Sequence, residues 1–267
     1  MNHPHNRGII ICLLVSCMNC SNSYPAQLLG LKVFQSAQHR SKLHQENIVK
    51  LACNNTVRIA FRRDDLLTNV SAAIQETFPQ VLVVNRGAHF INDTRFIPAL
   101  TRNLEEINEW YVSCQRMNMT CHLFWRTSVP GHPRCDAFSG PVNDISEIEK
   151  WIDDKSNYNN RSINYHWYDY RHQNELALDM IHSNIQFDYD VIDGYELNVR
   201  RPDEHRAHES DCLHNCYPGK MDVYSQLLLH FLKQRRSLQD ADYLEQRFQR
   251  AMERLGDKYH RGGGLEA

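Results

Sequence analysis

The sequence predicts an α/β sandwich around a mainly parallel sheet. Three observations carry that expectation. Short apolar runs bounded by turn residues alternate with longer segments of helical period. One run, Val81-Leu82-Val83-Val84, is apolar at every position and rich in β-branched residues, the pattern of a strand buried on both faces. The 267 residues are 42% hydrophobic and 23% charged, which suits one domain with a sizeable core.

Residues 1–50 read as an N-terminal region, polar and weakly periodic apart from one apolar run. That run, Gly8–Met18, follows Arg7 and precedes the polar Asn19-Cys20-Ser21-Asn22-Ser23. A basic flank, a short apolar stretch and small residues beyond it form the layout of a secretory signal peptide. The stretch is too short to span a bilayer as a helix. Residues 51–235 hold the domain. Val57–Phe61 is a short strand, Leu66–Phe78 a helix closed by Pro79, and Val81–Val84 the buried strand. Phe96, Leu100, Leu104, Ile107 and Tyr111 recur at helical spacing, so Thr94–Arg116 is a helix with one stripe on the sheet. Cys121–Trp125 is the next strand, and Pro130, Gly131, Pro133 and Gly140 mark a long loop. Helices follow at 145–154 and 167–182, then a strand-like stretch over Ile185–Leu197 broken at Asp193-Gly194. A histidine-rich loop spans 201–219 and a helix 221–234. Residues 236–267 form a charged C-terminal helix and tail ending in Gly262-Gly263-Gly264.

Net charge is −2 and no long basic run occurs, which argues against a nucleic-acid partner. Nine cysteines, an odd number, occur in this chain. Asn-x-Ser/Thr sequons stand at Asn54, Asn69, Asn92, Asn118 and Asn160. Cysteine density and sequons together point to the oxidising secretory route.

The most informative stretch is Asp211-Cys212-Leu213-His214-Asn215-Cys216-Tyr217-Pro218-Gly219. A carboxylate three residues before a histidine can orient the ring as a general base. Two further stretches end in candidate polar groups. Val83-Val84-Asn85-Arg86-Gly87-Ala88-His89-Phe90 places an amide at a strand end, and Phe124-Trp125-Arg126-Thr127-Ser128-Val129-Pro130-Gly131-His132 places a guanidinium at another. Ligands of open α/β sheets bind beyond the carboxyl ends of strands. His132 reads as a loop histidine. The ordinary readings are a strand ending in an Asn-x-Gly turn and an arginine paired with a nearby carboxylate. Zinc is the chemical competitor: His205, His208, Asp211, Cys212, His214 and Cys216 are all ligand types, as are Cys114, Cys121, His122 and Cys135. No pair of Cys-x2-Cys knuckles occurs, so disulfides at Cys212 and Cys216 are expected instead of a metal.

The Asp-Cys-x-His-x-Cys-x-Pro-Gly block resembles the final block of the trichome-birefringence-like plant cell-wall O-acetyltransferases, also called PC-esterases. Arg201-Pro202-Asp203-Glu204-His205 is similar to the Arg-x-Asp-x-His segment that precedes that block in the family. Residues 83–90 and 124–132 resemble two further family segments, with Arg86, Ala88 and Phe90 departing from the usual residues. The resemblance implies an SGNH-hydrolase-like three-layer sandwich, and acyl transfer, most often of acetyl, to or from a polysaccharide hydroxyl. It implies His214 as base, Asp211 as its orienting carboxylate, and Asn85, Gly87 and Arg126 at the oxyanion or substrate. The partners would be a polysaccharide or glycan and an acyl donor, with no metal or organic cofactor, in the Golgi lumen or outside the cell.

The family's nucleophile is the serine of a Gly-Asp-Ser motif on the turn after the first strand, and this chain shows no Gly-Asp-Ser. Ser128 falls in a loop segment, Ser71 completes a sequon, and Ser16 lies in the apolar run. On this likeness Ile9–Val15 has a second reading, as the helix that follows the nucleophile turn, with the Gly-Asp-Ser expected just upstream of Met1. The expectation is then trace turnover at most. The rival class is a non-catalytic carbohydrate- or partner-binding remnant of the same fold.

Overall fold

The computed structural model describes residues 9–14, 47–52, 57–62, 70–85, 90–206, 211–215 and 223–235. The chain falls into two compact units, Met1–Asp222 and Val223–Ala267. In the first, β1 (Ile9–Leu14), β2 (Asn47–Ala52), β3 (Val57–Arg62), β4 (Val81–Asn85), β5 (His122–Arg126) and β6 (Tyr189–Ile192) form one sheet in the order β2-β3-β1-β4-β5-β6. All neighbours are parallel except β2, which runs antiparallel at the edge. Counted among themselves, the parallel strands follow the doubly wound order 2-1-3-4-5. The protein is thus a mixed α/β fold on a mainly parallel sheet.

The apolar run at the start of the chain takes a form that the helix reading does not foresee. Ile9–Leu14 is neither a helix nor an element apart. It is the strand between β3 and β4, with Leu14 opposite both Arg62 and Val84. A short run such as Ile9-Ile10-Ile11 has no periodicity with which to choose helix or strand. Its β-branched side chains favour the extended form. The stretch read as an N-terminal region therefore supplies two strands, β1 and β2.

The two central strands behave as their composition dictates. Every residue of β4 is buried, as are four of the five in β5. Leu82, Val84, Leu123 and Trp125 share one face and join the main core. Val81, Val83 and Phe124 lie on the other face and are buried too. Burial on both sides explains why the runs do not alternate polar and apolar.

The helices α1 (Val70–Thr77), α2 (Asp93–Arg116) and α4 (Tyr170–Asn184) contribute to the same core. In α2 the expected stripe is present. Phe96, Leu100, Leu104 and Ile107 are buried, and Tyr111 stacks on Phe187 at 3.7 Å between centroids. Each fully buried side chain of this kind contributes about 1.5–3 kcal/mol. Asn92 caps the helix by accepting from the Arg95 amide. A disulfide, Cys114–Cys121, ties the end of α2 to the segment entering β5.

A smaller cluster joins α3 (Ile145–Asp153) to α5 (Gly194–Val199) through Ile148, Ile152 and Val199. Here the reading of Ile185–Leu197 as strand-like needs correction beyond Asp193. The Asp193 carboxylate accepts from the Glu196 amide and starts α5, an N-cap masked by the apolar content of the run. The loop expected over 201–219 likewise contains a small antiparallel hairpin, β7 (His205–Arg206) with β8 (Asp211–Asn215).

The second unit begins with a helix over 223–235. The charged helix expected after residue 236 lies outside the described residues. Among the described residues no helix is long and apolar enough to cross a membrane. Two disulfides, Cys114–Cys121 and Cys135–Cys212, fit a secreted or lumenal protein.

Candidate functional site

The hairpin carries an acid–histidine pair. Asp211 opens β8, and its Oδ1 accepts the amides of Leu213 at 3.2 Å and His214 at 3.0 Å. This is the local turn that a short carboxylate makes with the backbone ahead of it. It brings the His214 ring back over the same carboxylate. Nδ1 of His214 lies 2.8 Å from Oδ2 and 3.0 Å from Oδ1. A carboxylate accepts, so Nδ1 carries the hydrogen and Nε2 is the basic nitrogen of the neutral ring. Both side chains are partly open to solvent, 26% for His214 and 29% for Asp211. Burial pushes the Asp211 pKa upward, but the bonds and charge from His214, with the Leu213 amide, outweigh it and hold the carboxyl down at about 2.

What holds the hairpin is the loop that leaves β5. Residues 127–133 and 135 are buried or nearly so, which is unusual for a connection of that length. Its polar groups are therefore matched in detail. Thr127 Oγ1 donates to Asp193 at 2.8 Å and accepts the Tyr195 amide at 2.9 Å. Ser128 exchanges two bonds with the Asn174 side chain, through its amide and its carbonyl. The Trp151 indole donates to the Pro133 carbonyl at 2.7 Å. Gly131 lies flat against Trp167, where a Cβ would meet the ring at 2.2 Å. Three links then run from this loop to the hairpin. The His132 amide donates to the Cys212 carbonyl at 2.9 Å, Cys135 is disulfide-bonded to Cys212, and the His132 ring meets His205 at 2.6 Å.

Asn85 and Arg126 are register partners at the carboxyl ends of β4 and β5. They close on each other. The Asn85 amide donates to the Arg126 carbonyl at 2.8 Å, and its oxygen accepts from Nη2 of Arg126 at 2.9 Å. Both residues are buried, at 2% and 6% exposure.

The remaining expected residues divide by position. Cys212 is in a disulfide, whereas Cys216, Gly87, Asn54 and Asn69 lie outside the described residues. Asn92, Asn118 and Asn160 are exposed. Asn118 follows α2 in the left-handed region, φ 52°, which asparagine tolerates better than most residues. Cys114, Cys121, Cys135 and Cys212 are oxidised and have no thiolate to offer a metal. Among the described residues no group of three or more ligand-type side chains converges.

Sequence reasoning passed over His132. It is fully buried, with ring nitrogens on His205 and on the Val199 carbonyl at 2.7 Å. A histidine between Gly131 and Pro133 was the available signal: a glycine that needs close approach beside a titratable ring. No family model matches the chain, and no curated protein matches it.

Proposed function

We propose that the protein is a PC-esterase-type acyltransferase or esterase, built as a three-layer SGNH-like sandwich and acting on O-acetyl groups of a polysaccharide or glycan in the Golgi lumen or outside the cell. The observation that carries the reading is the Asp211–His214 bond, with Nδ1 donating at 2.8 Å. An orienting carboxylate fixes the tautomer and leaves Nε2 as the base. The strand order supports it as well. The switch point of the parallel sheet lies between β1 and β4, and such sheets bind ligands beyond the carboxyl ends of the strands there.

The strand assignment of Ile9–Leu14 also changes the search for a nucleophile. The likeness calls for a serine just after the first parallel strand. β1 ends at Leu14, and Ser16 is the next hydroxyl in the sequence, with Leu14-Val15 in place of Gly-Asp. Ser16 lies outside the described residues and is assigned the nucleophile's role on chain order alone. In the reaction its Oγ attacks the acetyl carbonyl while His214 Nε2 takes the proton. The sugar oxygen leaves and receives that proton. Water, or an acceptor hydroxyl, then cleaves the acyl-enzyme by the same route in reverse.

One observation favours a second reading, a non-catalytic carbohydrate- or partner-binding remnant. The Asn85 side chain is buried and tied to Arg126 through its oxygen and one of its two amide hydrogens, so at most one N–H is left for an oxyanion in this arrangement. Treatment with a fluorophosphonate and mass mapping of the adduct separates the two. The acyl-transfer reading expects one labelled serine, Ser16, and loss of the label in His214→Ala. No labelled serine, together with no acetate released from acetylated sugars or aryl acetates, would leave the binding reading.

A further inference from the structure

The sequon at Asn118 coincides with the end of α2 and with a disulfide. Met117 caps the helix, and Asn118 follows in the left-handed region at φ 52°. Two amides then turn back on the last helical carbonyls. The Asn118 amide donates to Gln115 and the Met119 amide to Cys114, each at 2.9 Å. This pair of bonds is a Schellman stop, with asparagine where glycine is the commoner residue. Cys114 and Cys121 are bonded around the same turn, with Cα atoms 6.2 Å apart. The whole sequon, Asn118-Met119-Thr120, therefore lies inside the disulfide ring. Both ends of the ring are pinned. Cys114 and Cys121 are buried, and the His122 amide donates to the Gln80 carbonyl at 2.8 Å.

The other two described sequons are built differently. At Asn92 the Thr94 hydroxyl donates to the Asn92 side-chain oxygen at 2.7 Å, and the same oxygen caps α2 by accepting the Arg95 amide. Nδ2 takes no part in that cap, so a sugar on it leaves the cap in place. At Asn160 the Ser162 hydroxyl is buried and donates to the Asn159 carbonyl. Asn160 falls within the wide Cys135–Cys212 span, whose ends are 77 residues apart, and not in a tight ring.

We propose that Asn92 is a glycan acceptor, and that Asn118 is open to modification only until the Cys114–Cys121 bond closes, so that the disulfide decides its occupancy. A transferring enzyme must hold the asparagine amide and the hydroxyl two residues on with the chain drawn out between them. In the closed ring Asn118 would have to leave the left-handed turn and give up both amide bonds while the cysteines hold the ends together. The bond closes over a sequence separation of 7, most of it helix or turn, which leaves little slack for an extended sequon. In the transfer, Nδ2 attacks the anomeric carbon of a lipid-diphosphate-linked oligosaccharide. The N–C bond forms, the C–O bond to the diphosphate breaks, the lipid diphosphate leaves, and Nδ2 gives up one proton to a base of the enzyme. In the competing step the two thiols pass two electrons and two protons to a disulfide oxidant, which leaves as a dithiol. Both steps belong to the oxidising secretory route. The inference needs entry to that route and not acyl transfer, so it can fail while the acyl-transfer reading stands.

The test is site occupancy in the full chain made in a glycosylating eukaryotic cell. Glycans are released enzymatically in heavy-oxygen water, which marks each formerly occupied asparagine, and the peptides are mapped by mass. In the wild type, Asn92 should be occupied in most molecules and Asn118 in a small minority. Cys114→Ser and Cys121→Ser should each raise Asn118 occupancy several-fold and leave Asn92 as it was. Wild-type chain synthesised in the presence of a membrane-permeant thiol reductant should show the same rise, which keeps the test independent of whether the variants fold. Leu104→Ala weakens the core and keeps both cysteines, so Asn118 should stay at its wild-type occupancy. A rise in Leu104→Ala equal to that in the cysteine variants would make general stability the cause and overturn the inference. So would full occupancy of Asn118 in the wild type, no rise in either the cysteine variants or the reductant-treated cells, or an unmodified Asn92.

Discussion

The loop over 127–135 and the hairpin over 205–215 are neighbours with opposite physical characters. The loop has no regular ladder up to Arg134, yet it is largely buried and its polar groups meet side chains from α3, α4 and the N-cap of α5. The hairpin has a ladder but only a short one, and the faces of Asp211 and His214 are partly open. Secondary structure is thus a poor guide to rigidity here. The irregular segment is the anchor, and the regular one hangs from it through a disulfide, an amide and a ring contact. On the acyl-transfer proposal the pair gains from that division, since a general base needs access to substrate and also a fixed geometry.

The largest effect should come from cutting the covalent tie. Cys135 and Cys212 are 77 residues apart in sequence, whereas Cys114 and Cys121 are 7 apart. On the loop-entropy account the first bond is worth about 4.5 kcal/mol and the second about 2.4 kcal/mol. Cys212→Ser should therefore lower the unfolding free energy more than Cys114→Ser in denaturant titrations. Equal losses would mean that the hairpin is not held chiefly by this bond.

Next comes Gly131→Ala, which forces a methyl into the Trp167 ring. Overpacking of this kind costs about 1–3 kcal/mol, and thermal melting should show it. A neutral result would show that the loop can yield, contrary to an anchor. The substitution Asp211→Asn sharpens the other side of the comparison. Folding holds the Asp211 carboxyl below its ordinary 3.8, at about 2, so the ionised form stabilises the native state above that ordinary value. The contribution is lost as pH falls from about 4 through about 2. The stability gap between wild type and Asp211→Asn should accordingly be full near neutral pH and close on acidification. A gap that is constant with pH would remove the His214 bond as its cause. The smallest effect belongs to a site remote from both regions. Asn92→Ala deletes the cap of α2 and should cost about 1 kcal/mol in melting experiments, with no change in the hairpin's spectra.

Much of the architecture was legible because it rests on local pattern. The stripe Phe96–Leu100–Leu104–Ile107 and the run Val81–Val84 each announce their element without help from the rest of the chain. The pair Asp211–His214 was also readable, because a three-residue spacing closes a local turn. Ile9–Leu14 was not, since a short apolar run acquires its identity from the strands beside it, Val57–Arg62 and Val81–Asn85. Nor was the use of Asn85. Its polar group looked available at a strand end, and only the register of β4 against β5 shows Arg126 opposite. His132 failed for the same reason: its partners, Val199 and His205, lie far along the sequence.

The central claim is that the hairpin held by the buried loop presents His214 as a working base. Acetate release from aryl acetates by the wild-type chain and by His214→Ala, at matched protein concentration and neutral pH, tests it most directly. The account predicts turnover by the wild type and a fall of about four to six orders of magnitude in the variant. A wild-type rate that His214→Ala leaves unchanged, or no turnover by the wild type at all, would contradict it.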